Sequence, residues 1–473
     1  MEQLHGLDSL MALGEMPNVP LHIGAVFIYK PSPSLSFDAV RALLAAQIDS
    51  HLPLLRCRLD ALPVSIDRPY WSVDPEFSLD AHLQRFALPA PADWQALYEL
   101  AGQFHAEPLN RQRPLWQAIY LEGLDHLQGV PKGSVALLLK IHHALADGKA
   151  AMRIFAALHS LSAEAGAPLM ADSLPLPPLD FSPPSLLRKI GQAYWHALVA
   201  PYRLTGQLAA GLLSLTPPLW RNKSKASAAA GQGKTPKTVF NRMPGADRRM
   251  GHLRLPMREL RRIEAASGAT INDIALCVIS GALHEYLAGQ QQLPAQDLVA
   301  SMPISIRDDS QDKVLGNRIS LANLGLYNHI TEPLQRLAAI HQATHASKQH
   351  NHRRRGGSFL SMMDSIYPAL VVWAGHRLVD SGLLESLPPV SNTVITNVPG
   401  IGQPAYLCGA ELVDYLGLGI LAPTVTLFHV VSSVPSHANI TFLGCSASLA
   451  DDDAYRKALQ RSWRQLRAAI PAD

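Results

Sequence analysis

The sequence has few charged residues and few cysteines. Asp, Glu, Lys and Arg make up 17% of its 473 residues, whereas about 25% is usual for soluble proteins. The four cysteines (Cys57, Cys277, Cys408 and Cys445) lie far apart and form no CxxC pair, which argues against a disulfide scaffold or a zinc ribbon and favours reduced thiols. A net charge of +3 is too small to indicate nucleic-acid binding.

Several common signals of protein class are also missing. The N-terminal residues MEQLHGLDSL lack the basic and apolar regions of a signal peptide, so we predict none. No window holds about 18 uninterrupted apolar residues, so no transmembrane helix is predicted. There is no glycine-rich nucleotide turn and no GxSxG nucleophile elbow. Hydrophobic residues nevertheless make up 48% and the mean hydropathy is +0.05, which indicates much apolar surface to bury or to offer to an apolar ligand.

Length and composition predict an α/β protein with two domains. A chain of 473 residues is too long for one core and fits two domains of about 200 residues each. The prolines clustered within 171–185 exclude regular structure there, and residues 221–238 have the composition of a flexible linker. We therefore predict an N-terminal domain at 1–165, a Pro-rich and helical linker at 166–238, and a C-terminal domain at 239–473.

The spacing of apolar residues predicts the individual elements. Strands are expected at 20–30, 54–59, 115–122, 134–141, 252–255, 297–306, 392–398, 425–434 and 437–443. Helices are expected at 37–49, 92–106, 148–162, 186–216, 256–267 and 271–289, with Thr270 as the N-cap of the last. Each domain is thus predicted to be a mixed sheet with helices.

The segment IHHALADG at 141–148 is the sharpest local signal. An apolar run typical of a buried strand ends in His142 and His143, and Asp147 and Gly148 then break it before a helix. Neighbouring side chains of a strand point to opposite faces, so one histidine can face a cavity while the other is held in the fold. Asp147 can fix the turn, and Gly148 permits a backbone conformation closed to other residues.

A neutral imidazole, with a pKa near ~6.5, suits a general base that takes the proton of a hydroxyl as it attacks a thioester. A histidine pair at a strand end is, taken alone, more often structural or exposed. The full spacing HHxxxDG, however, resembles the catalytic signature of the CoA-dependent acyltransferase superfamily, which includes chloramphenicol acetyltransferase and the condensation domains of peptide synthetases. In that superfamily the second histidine is the base and the aspartate is structural.

This resemblance implies His143 as the base and Asp147 as an organising residue. It also implies two similar chloramphenicol-acetyltransferase-like α/β domains, built of mixed sheets with helices, with an active-site channel at their interface. Further segments resemble the bacterial wax ester synthase/diacylglycerol acyltransferase family over nearly the whole chain. They are LDSLMALGEMPNVPLHIGAVFIY near the N-terminus, PLW at 114–116, ND at 272–273, MPISIR at 302–307, LGNRIS at 315–320 and TNVPG at 396–400.

The family resemblance implies transfer of a long-chain fatty acyl group from acyl-CoA to a fatty alcohol, to diacylglycerol, or to both. His143 would remove the hydroxyl proton, the oxygen would attack the thioester directly, and Asn272 would help to hold the oxyanion. Acyl-CoA is then a co-substrate, and no other cofactor and no metal ion is expected. The predicted catalytic residues are His143, His142, Asp147 and Asn272, and the predicted substrate-binding residues are Gly148, Pro114, Leu115, Trp116 and Asn397.

Several of these residues have a simpler interpretation. Asn272 is expected near a helix N-terminus, where its amide can donate to an oxyanion, but it can equally be a polar residue of the first turn. Trp116 is more often a core residue, in which case PLW serves packing near the site, and Asn397 stands in a turn that ends a strand. The basic run at 348–355 can be a solvated loop or can contact CoA phosphates or an anionic membrane. The amphipathic stretch 186–216 can be a packed helix pair or can lie on a lipid surface.

Two other functions stay open at this point. One is an HHxxxDG acyltransferase that acts on an amine or a polyketide alcohol, and the other is a non-catalytic lipid-binding protein. We expect a cytoplasmic protein without nucleic-acid partners, either freely soluble or peripheral at the inner membrane or at lipid inclusions. Chain-length preference, the choice between alcohol and diacylglycerol, and oligomeric state depend on features that residue spacing does not determine.

Overall fold

The computed structural model describes residues 2–63, 66–145, 148–164, 166–170, 181–199, 235–305, 319–351, 368–398, 400 and 402–470. Its strands are β1 Glu2–Gln3, β2 His22–Tyr29, β3 Cys57–Asp60, β4 Tyr70–Val73, β5 Leu83–Ala87, β6 Trp116–Glu122, β7 Val135–His142, β8 Arg249–Pro256, β9 Val299–Ser305, β10 Ile319–Gly325, β11 Thr393–Asn397, β12 Tyr406–Leu407, β13 Ala410–Leu418, β14 Phe428–Val434 and β15 His437–Gly444. Its helices are α1 Gly6–Leu13, α2 Phe37–Ser50, α3 Trp94–Ala106, α4 Gly148–Leu158, α5 at 186–199, α6 Met257–Ser267, α7 Ile271–Gly289, α8 Pro333–Asn351, α9 Pro368–Asp380, α10 Leu383–Ser386 and α11 Asp452–Ala469.

Two six-stranded mixed sheets organise the part of the chain that the structure describes. The first has the strand order β12-β13-β2-β7-β6-β5 and the second has the order β10-β9-β11-β14-β15-β8, while β1, β4 and β3 form a small third sheet. In the first sheet β7 lies antiparallel to both β2 and β6. In the second sheet β11 is parallel to both β9 and β14. The predicted α/β class, with mixed sheets and helices, is confirmed.

Local capping and periodicity explain why the helices begin where they do. The hydroxyl of Ser36 accepts a hydrogen bond from the third residue of α2, and the carboxylate of Asp93 does the same for α3, which satisfies backbone donors that the first turn leaves free. Val40, Leu44 and Ile48 recur every four residues along α2 and are all buried. They place one face of the helix on the N-terminal core.

Helix α7 is buried along most of its length, between α6, α8 and α11. Its apolar composition on all sides therefore reflects its central place in the C-terminal core. Among the described residues no single helix is long and apolar enough to cross a membrane. Helices α6 and α7 meet that criterion only as a pair, and they are bent by 99° relative to each other.

Strand β13 departs from the sequence prediction. The pattern predicts no strand between 398 and 425 and assigns every residue after 239 to the C-terminal domain. In the structure β13 pairs with β2 instead and so completes the first sheet. The C-terminal half of the chain thus contributes two strands, β12 and β13, to the sheet that carries the histidine motif.

A buried charge cluster holds β13 against the second sheet. The carboxylate of Asp414, which has no solvent exposure, accepts hydrogen bonds from Arg254 Nε at 2.8 Å, from Asn439 Nδ2 at 2.5 Å and from His437 Nε2 at 3.1 Å. Burial would raise the pKa of Asp414, but His437 and Arg254 outweigh it and hold this pKa well below its usual range. The cluster joins the two sheets where they meet.

The other predicted elements agree with the structure except at a few places. The strand predicted at 54–59 begins as a 3-10 turn at Pro53–Arg56 and is extended only over β3, because the proline ring favours a turn and supplies no N–H for pairing. The helix predicted at 148–162 ends at Leu158. Of the predicted helix at 186–216, residues 186–199 are helical and the rest lie outside the described residues, as do 171–180, 201–234 and 306–318. The second half of the basic run, 352–355, is also outside them, whereas its first half, 348–351, belongs to α8 and is not a loop.

Candidate active site

The end of β7 carries the two histidines of the motif. The backbone N–H of His142 donates to the carbonyl of Leu115 at 2.9 Å, and the backbone N–H of His143 donates to the carbonyl of Leu21 at 2.8 Å. The two consecutive residues are thereby held from opposite sides, by the chain entering β6 and by the chain entering β2. These two backbone hydrogen bonds fix the main chain of the motif independently of its side chains.

His142 is locked inside the fold. Its side chain is 1% exposed, its Nδ1 accepts a hydrogen bond from the N–H of Ala144 at 3.0 Å, and its Nε2 lies 3.3 Å from Oε1 of Glu15. Because Nδ1 is the acceptor, the ring hydrogen is on Nε2 and points at the carboxylate. This arrangement matches the expectation that one histidine of the pair is held in the fold.

Glu15 contacts His142 but lies outside the HHxxxDG motif, so the sequence pattern does not predict this contact. Its Oε1 also accepts the backbone N–H of Leu21 at 2.8 Å. Burial would raise the pKa of Glu15, but the hydrogen bond and electrostatic interaction with His142, together with the Leu21 N–H, lower it overall. The carboxylate therefore stays charged and orients the His142 ring from the turn that follows α1.

His143 directly follows β7, whose two faces pack in different cores. Residues Leu137, Leu139 and Ile141 pack in one core, whereas Ala136 and Leu138 belong to another, as the alternation of a strand requires. Strand β7 ends at His142, so His143 is the first residue of the turn that follows, and it is partly exposed. The two neighbouring histidines therefore differ in burial.

A narrow apolar cavity of about 70 Å³ lies between the first sheet and α4. The residues that line it are Ile23, Gly24, Ala25, Phe27, Leu139, Ile141, Ala151, Met152, Ile154, Phe155, Leu158, His159, Val398 and Tyr415. The lining is almost entirely apolar, and it comes within two residues of His143 at Ile141. We call this space the sheet cavity.

Aromatic rings line one part of the sheet cavity. Phe27 stacks on Tyr415 at a ring distance of 4.9 Å, and Phe155 stacks on His159 at 3.8 Å. His159 Nδ1 donates to the carbonyl of Phe155 at 2.8 Å, so Nε2 is free to accept from the hydroxyl of Tyr29, also at 2.8 Å. Burial lowers the pKa of His159 to about 4, so this imidazole is neutral. The spacing of residues on α4 does not predict that these aromatic side chains line a cavity.

The C-terminal half reaches the sheet cavity through the NVPG segment. Val398 lines the cavity and its N–H donates to the carbonyl of Val431 at 2.9 Å. Asn397 ends β11 and is exposed; it is not among the lining residues. A Cβ at Gly400 would come within 1.7 Å of the Ser433 hydroxyl, so the glycine is needed for close packing. Pro399 lies outside the described residues.

The ND segment stands at the start of α7. Thr270 and Asp273 form a capping box, and the buried Asp273 carboxylate also accepts from His341 Nδ1 at 2.8 Å and from the Thr344 hydroxyl at 2.7 Å. Asn272 Oδ1 is buried and has no hydrogen-bond partner among the described residues. Asp273 thus anchors the helix start, the predicted cap at Thr270 is confirmed, and the catalytic role of Asn272 stays a prediction.

The PLW segment packs in the core. Pro114, Leu115 and Trp116 are buried, and the last two are at most 1% exposed. The indole N–H of Trp116 donates to the carbonyl of Leu55 at 2.7 Å, and its ring stacks on His82. Since Leu115 also binds the backbone of His142, this geometry favours the packing interpretation over substrate contact.

Behind the motif, a buried lysine anchors β7 to α3. Lys140 Nζ donates to the carbonyls of Phe104 at 2.7 Å and Glu107 at 2.8 Å, groups that the end of a helix leaves without partners. Burial lowers the pKa of Lys140 to about 8. Of the remaining predicted residues, Gly148 begins α4, and Asp147 lies outside the described residues.

Two family models match the chain. A model described as the wax ester synthase/diacylglycerol acyltransferase catalytic domain matches residues 4–275, and one described as the WS/DGAT C-terminal domain matches residues 315–467. A putative diacylglycerol O-acyltransferase of Mycobacterium tuberculosis (strain H37Rv) is 29% identical, with 100% of this chain and 98% of that protein aligned. A second such protein from the same strain is 28% identical over 98% of this chain and 99% of its own.

Solved structures show the same fold. A wax ester synthase/diacylglycerol acyltransferase from Marinobacter aquaeolei VT8 matches with a TM-score of 0.69 at 23% identity, covering 99% of this chain and 100% of that chain. The first condensation domain of the CDA synthetase matches with a TM-score of 0.56 at 17% identity, covering 100% and 97%. The arrangement of the two sheets is therefore shared with both proteins.

Proposed function

The chain belongs to the wax ester synthase/diacylglycerol acyltransferase family and is an acyltransferase, and we propose that it transfers a long-chain fatty acyl group from acyl-CoA to a long-chain alcohol or to diacylglycerol. His143 is the general base in this proposal. The observation that carries it is the different placement of the two neighbouring histidines. His142 is buried and bonded at both ring nitrogens, whereas His143 is partly exposed and stands two residues after Ile141, which lines the sheet cavity.

The reaction is a direct transfer. His143 takes the proton of the acceptor hydroxyl, and the oxygen attacks the thioester carbonyl. The carbon–sulfur bond then breaks, and His143 returns the proton to the leaving thiolate of CoA. Asn272 donates to the oxyanion from the start of α7, where the helix dipole also favours negative charge. Asp147 organises the turn after the motif, and Gly148 opens α4 beside it.

The sheet cavity receives the first part of the acyl chain. Its apolar lining suits methylene groups, and Ile141 leads directly to the histidine pair. A volume of about 70 Å³ accommodates only a few such groups, since an apolar cavity that binds one benzene molecule has about 150 Å³. A long chain therefore requires the side chains of α4 to move aside.

The acceptor is proposed to be a lipid, so we also propose that the enzyme associates peripherally with a membrane or a lipid inclusion. The apolar lining of the sheet cavity and the low share of charged residues, 17%, support a lipid substrate over a small polar one. A peripheral position would bring the site close to acceptors that barely dissolve in water.

The test is release of free CoA, followed with a thiol-reactive dye, from palmitoyl-CoA with hexadecanol or diacylglycerol. We expect turnover with the wild type and a loss of roughly 10²–10⁴-fold in His143→Ala. His126→Ala, which removes an exposed histidine, is the matched control and keeps wild-type turnover. Near-normal activity of folded His143→Ala contradicts the mechanism. Lipid binding without CoA release identifies a lipid-binding protein, and turnover with amines alone identifies a different acceptor class.

A further inference from the structure

A second and larger cavity, of about 650 Å³, lies between α1, α9 and the small sheet. Its lining residues are Leu13, Leu59, Ala61, Pro69, Arg111, Ala369, Val372, Trp373 and His376. Leu13 stands two residues before Glu15, and Arg111 donates to the carbonyl of Ala12 and helps to lower the pKa of Glu15. This space, the α1–α9 cavity, therefore adjoins the turn that holds His142.

Helix α5 packs on the small sheet that borders this cavity, and its polar face is turned towards the protein. Lys189 binds Asp60, Gln192 accepts from the hydroxyl of Tyr70, and His196 binds Asp67. Asp60 alternates along β3 with Leu59, which lines the cavity, so α5 packs on the face of the small sheet that points away from the cavity. The three contacts recur every three or four residues, which places them on one face of the helix.

The opposite face of α5 is apolar and exposed to solvent. Its members are Leu186, Leu187, Ile190, Tyr194, Trp195 and Leu198, of which Leu187 is 84% exposed. Single exposed apolar residues are common, but a contiguous apolar face on one helix marks an interaction surface. A surface helix of a globular protein usually packs its apolar face on the core and exposes its polar face to solvent. Helix α5 has the opposite orientation.

Helix α9 forms one side of the α1–α9 cavity. Leu370 and Trp373 are exposed on it, and the guanidinium of Arg377 lies 6.0 Å from the Trp373 ring. Tryptophan, tyrosine and arginine side chains are suited to the boundary between lipid and water, because each combines an apolar body with a polar or charged end. Arg188 on α5 is exposed as well.

We propose that α5 and α9 seat the protein on a phospholipid surface, and that the α1–α9 cavity opens towards this surface so that a lipid molecule can enter it. The inverted polarity of α5 carries the docking step, because only an apolar medium makes that orientation favourable. The exposed cations Arg188 and Arg377 favour an anionic surface. The entry step rests on the proposed function, since the cavity leads a lipid-borne acceptor towards the Glu15–His142 pair.

The experiment is co-sedimentation of the full chain with vesicles of phosphatidylethanolamine and phosphatidylglycerol. We expect the wild type to bind. The double variant Leu187→Glu/Trp195→Glu should lose binding by roughly tenfold or more per substitution, as expected when a large apolar side chain is withdrawn from lipid. Leu321→Glu is the matched control, because Leu321 is 62% exposed on β10 in the second sheet. An unchanged thermal unfolding midpoint shows that each variant is folded.

Three results overturn the proposal. If the wild-type protein stays in the supernatant, the apolar face of α5 is covered by something other than lipid, either residues 201–234 or a second copy of the chain. Equal binding by the double variant and the wild type, or an equal loss in Leu321→Glu, shows that α5 is not the docking surface. Vesicle binding does not require acyl transfer, so a protein that binds vesicles but releases no CoA contradicts the proposed function and leaves the docking surface intact.

Discussion

Nε2 of His142 lies 3.3 Å from Oε1 of Glu15, with the two side chains 1% and 10% exposed. The contact joins the turn after α1 to the end of β7 and sets the ring orientation of His142. Since His143 is the next residue, anything that releases His142 also releases the backbone that carries the proposed base. Glu15 is therefore a positioning residue in our proposal.

We expect Glu15→Leu to lower both stability and kcat, because it leaves the buried Nε2–H of His142 without an acceptor. A loss of about 1–3 kcal/mol in the free energy of unfolding is typical of such a group. Glu15→Gln retains an oxygen for both Nε2–H and the Leu21 N–H, so it should restore most of the activity. Denaturant unfolding and the CoA-release assay measure the two effects. Equal kcat in Glu15→Leu and the wild type would show that His142 needs no such support.

Lys140 gives a prediction for alkaline pH. Its pKa is about 8 in the folded chain against 10.5 as the ordinary value, so between these values the unfolded state binds more protons and stability rises with pH. The rise should be of the order of 3 kcal/mol, and Lys140→Met should lack it. Denaturant unfolding of both proteins across this range gives the difference. Parallel stability curves for the two proteins would rule out a buried, titrating Lys140.

Asp414 gives a prediction for the contact between the two sheets. Removing one partner of a buried charge cluster costs about 3–5 kcal/mol, so Asp414→Ala should unfold at much lower urea concentration. The matched control is Glu411→Ala on the same strand, whose ion pair with Lys30 is exposed and contributes about 0–1 kcal/mol. If the two variants lose similar stability, the cluster does not hold β13 in place.

The pH dependence of the same cluster has a definite sign. The pKa of Asp414 is depressed in the folded chain from an ordinary value of 3.8, so its contribution to stability is complete above that value and is lost as the pH falls below it. Wild-type and Asp414→Ala stabilities should therefore converge in acid. A constant difference between them down to strongly acidic pH would contradict this assignment.

The sheet cavity can be tested by filling it. Ala151→Phe places a ring among the residues that line it, so kcat/KM for long-chain acyl-CoA should fall by at least about tenfold, with a smaller effect on short-chain acyl-CoA. Ala45→Phe, on the exposed face of α2, is the control for the added ring. A uniform loss for all chain lengths would show that the cavity does not hold the acyl chain.

Elements whose signals are local could be predicted from the sequence. The apolar run before His142 predicted β7, and the cap at Thr270 predicted the start of α7, because both depend on neighbouring residues. The alternation of side chains along a strand predicted different environments for His142 and His143. Strand β13 has a similar alternation, but nothing local indicates that it crosses to β2 in the first sheet. The contacts of Glu15 and Asp414 could not be predicted for the same reason, because their partners are distant along the chain.

The motif HHxxxDG and its companion segments by themselves determined the family, the class of reaction and the candidate base. The tertiary structure alone decided which distant side chains meet: Glu15 with His142, the aromatic residues around His159, and the polar face of α5 with the small sheet. The physical reason is that covalent neighbours define periodicity and capping, whereas burial, pairing and pKa depend on groups that only the folded chain brings together.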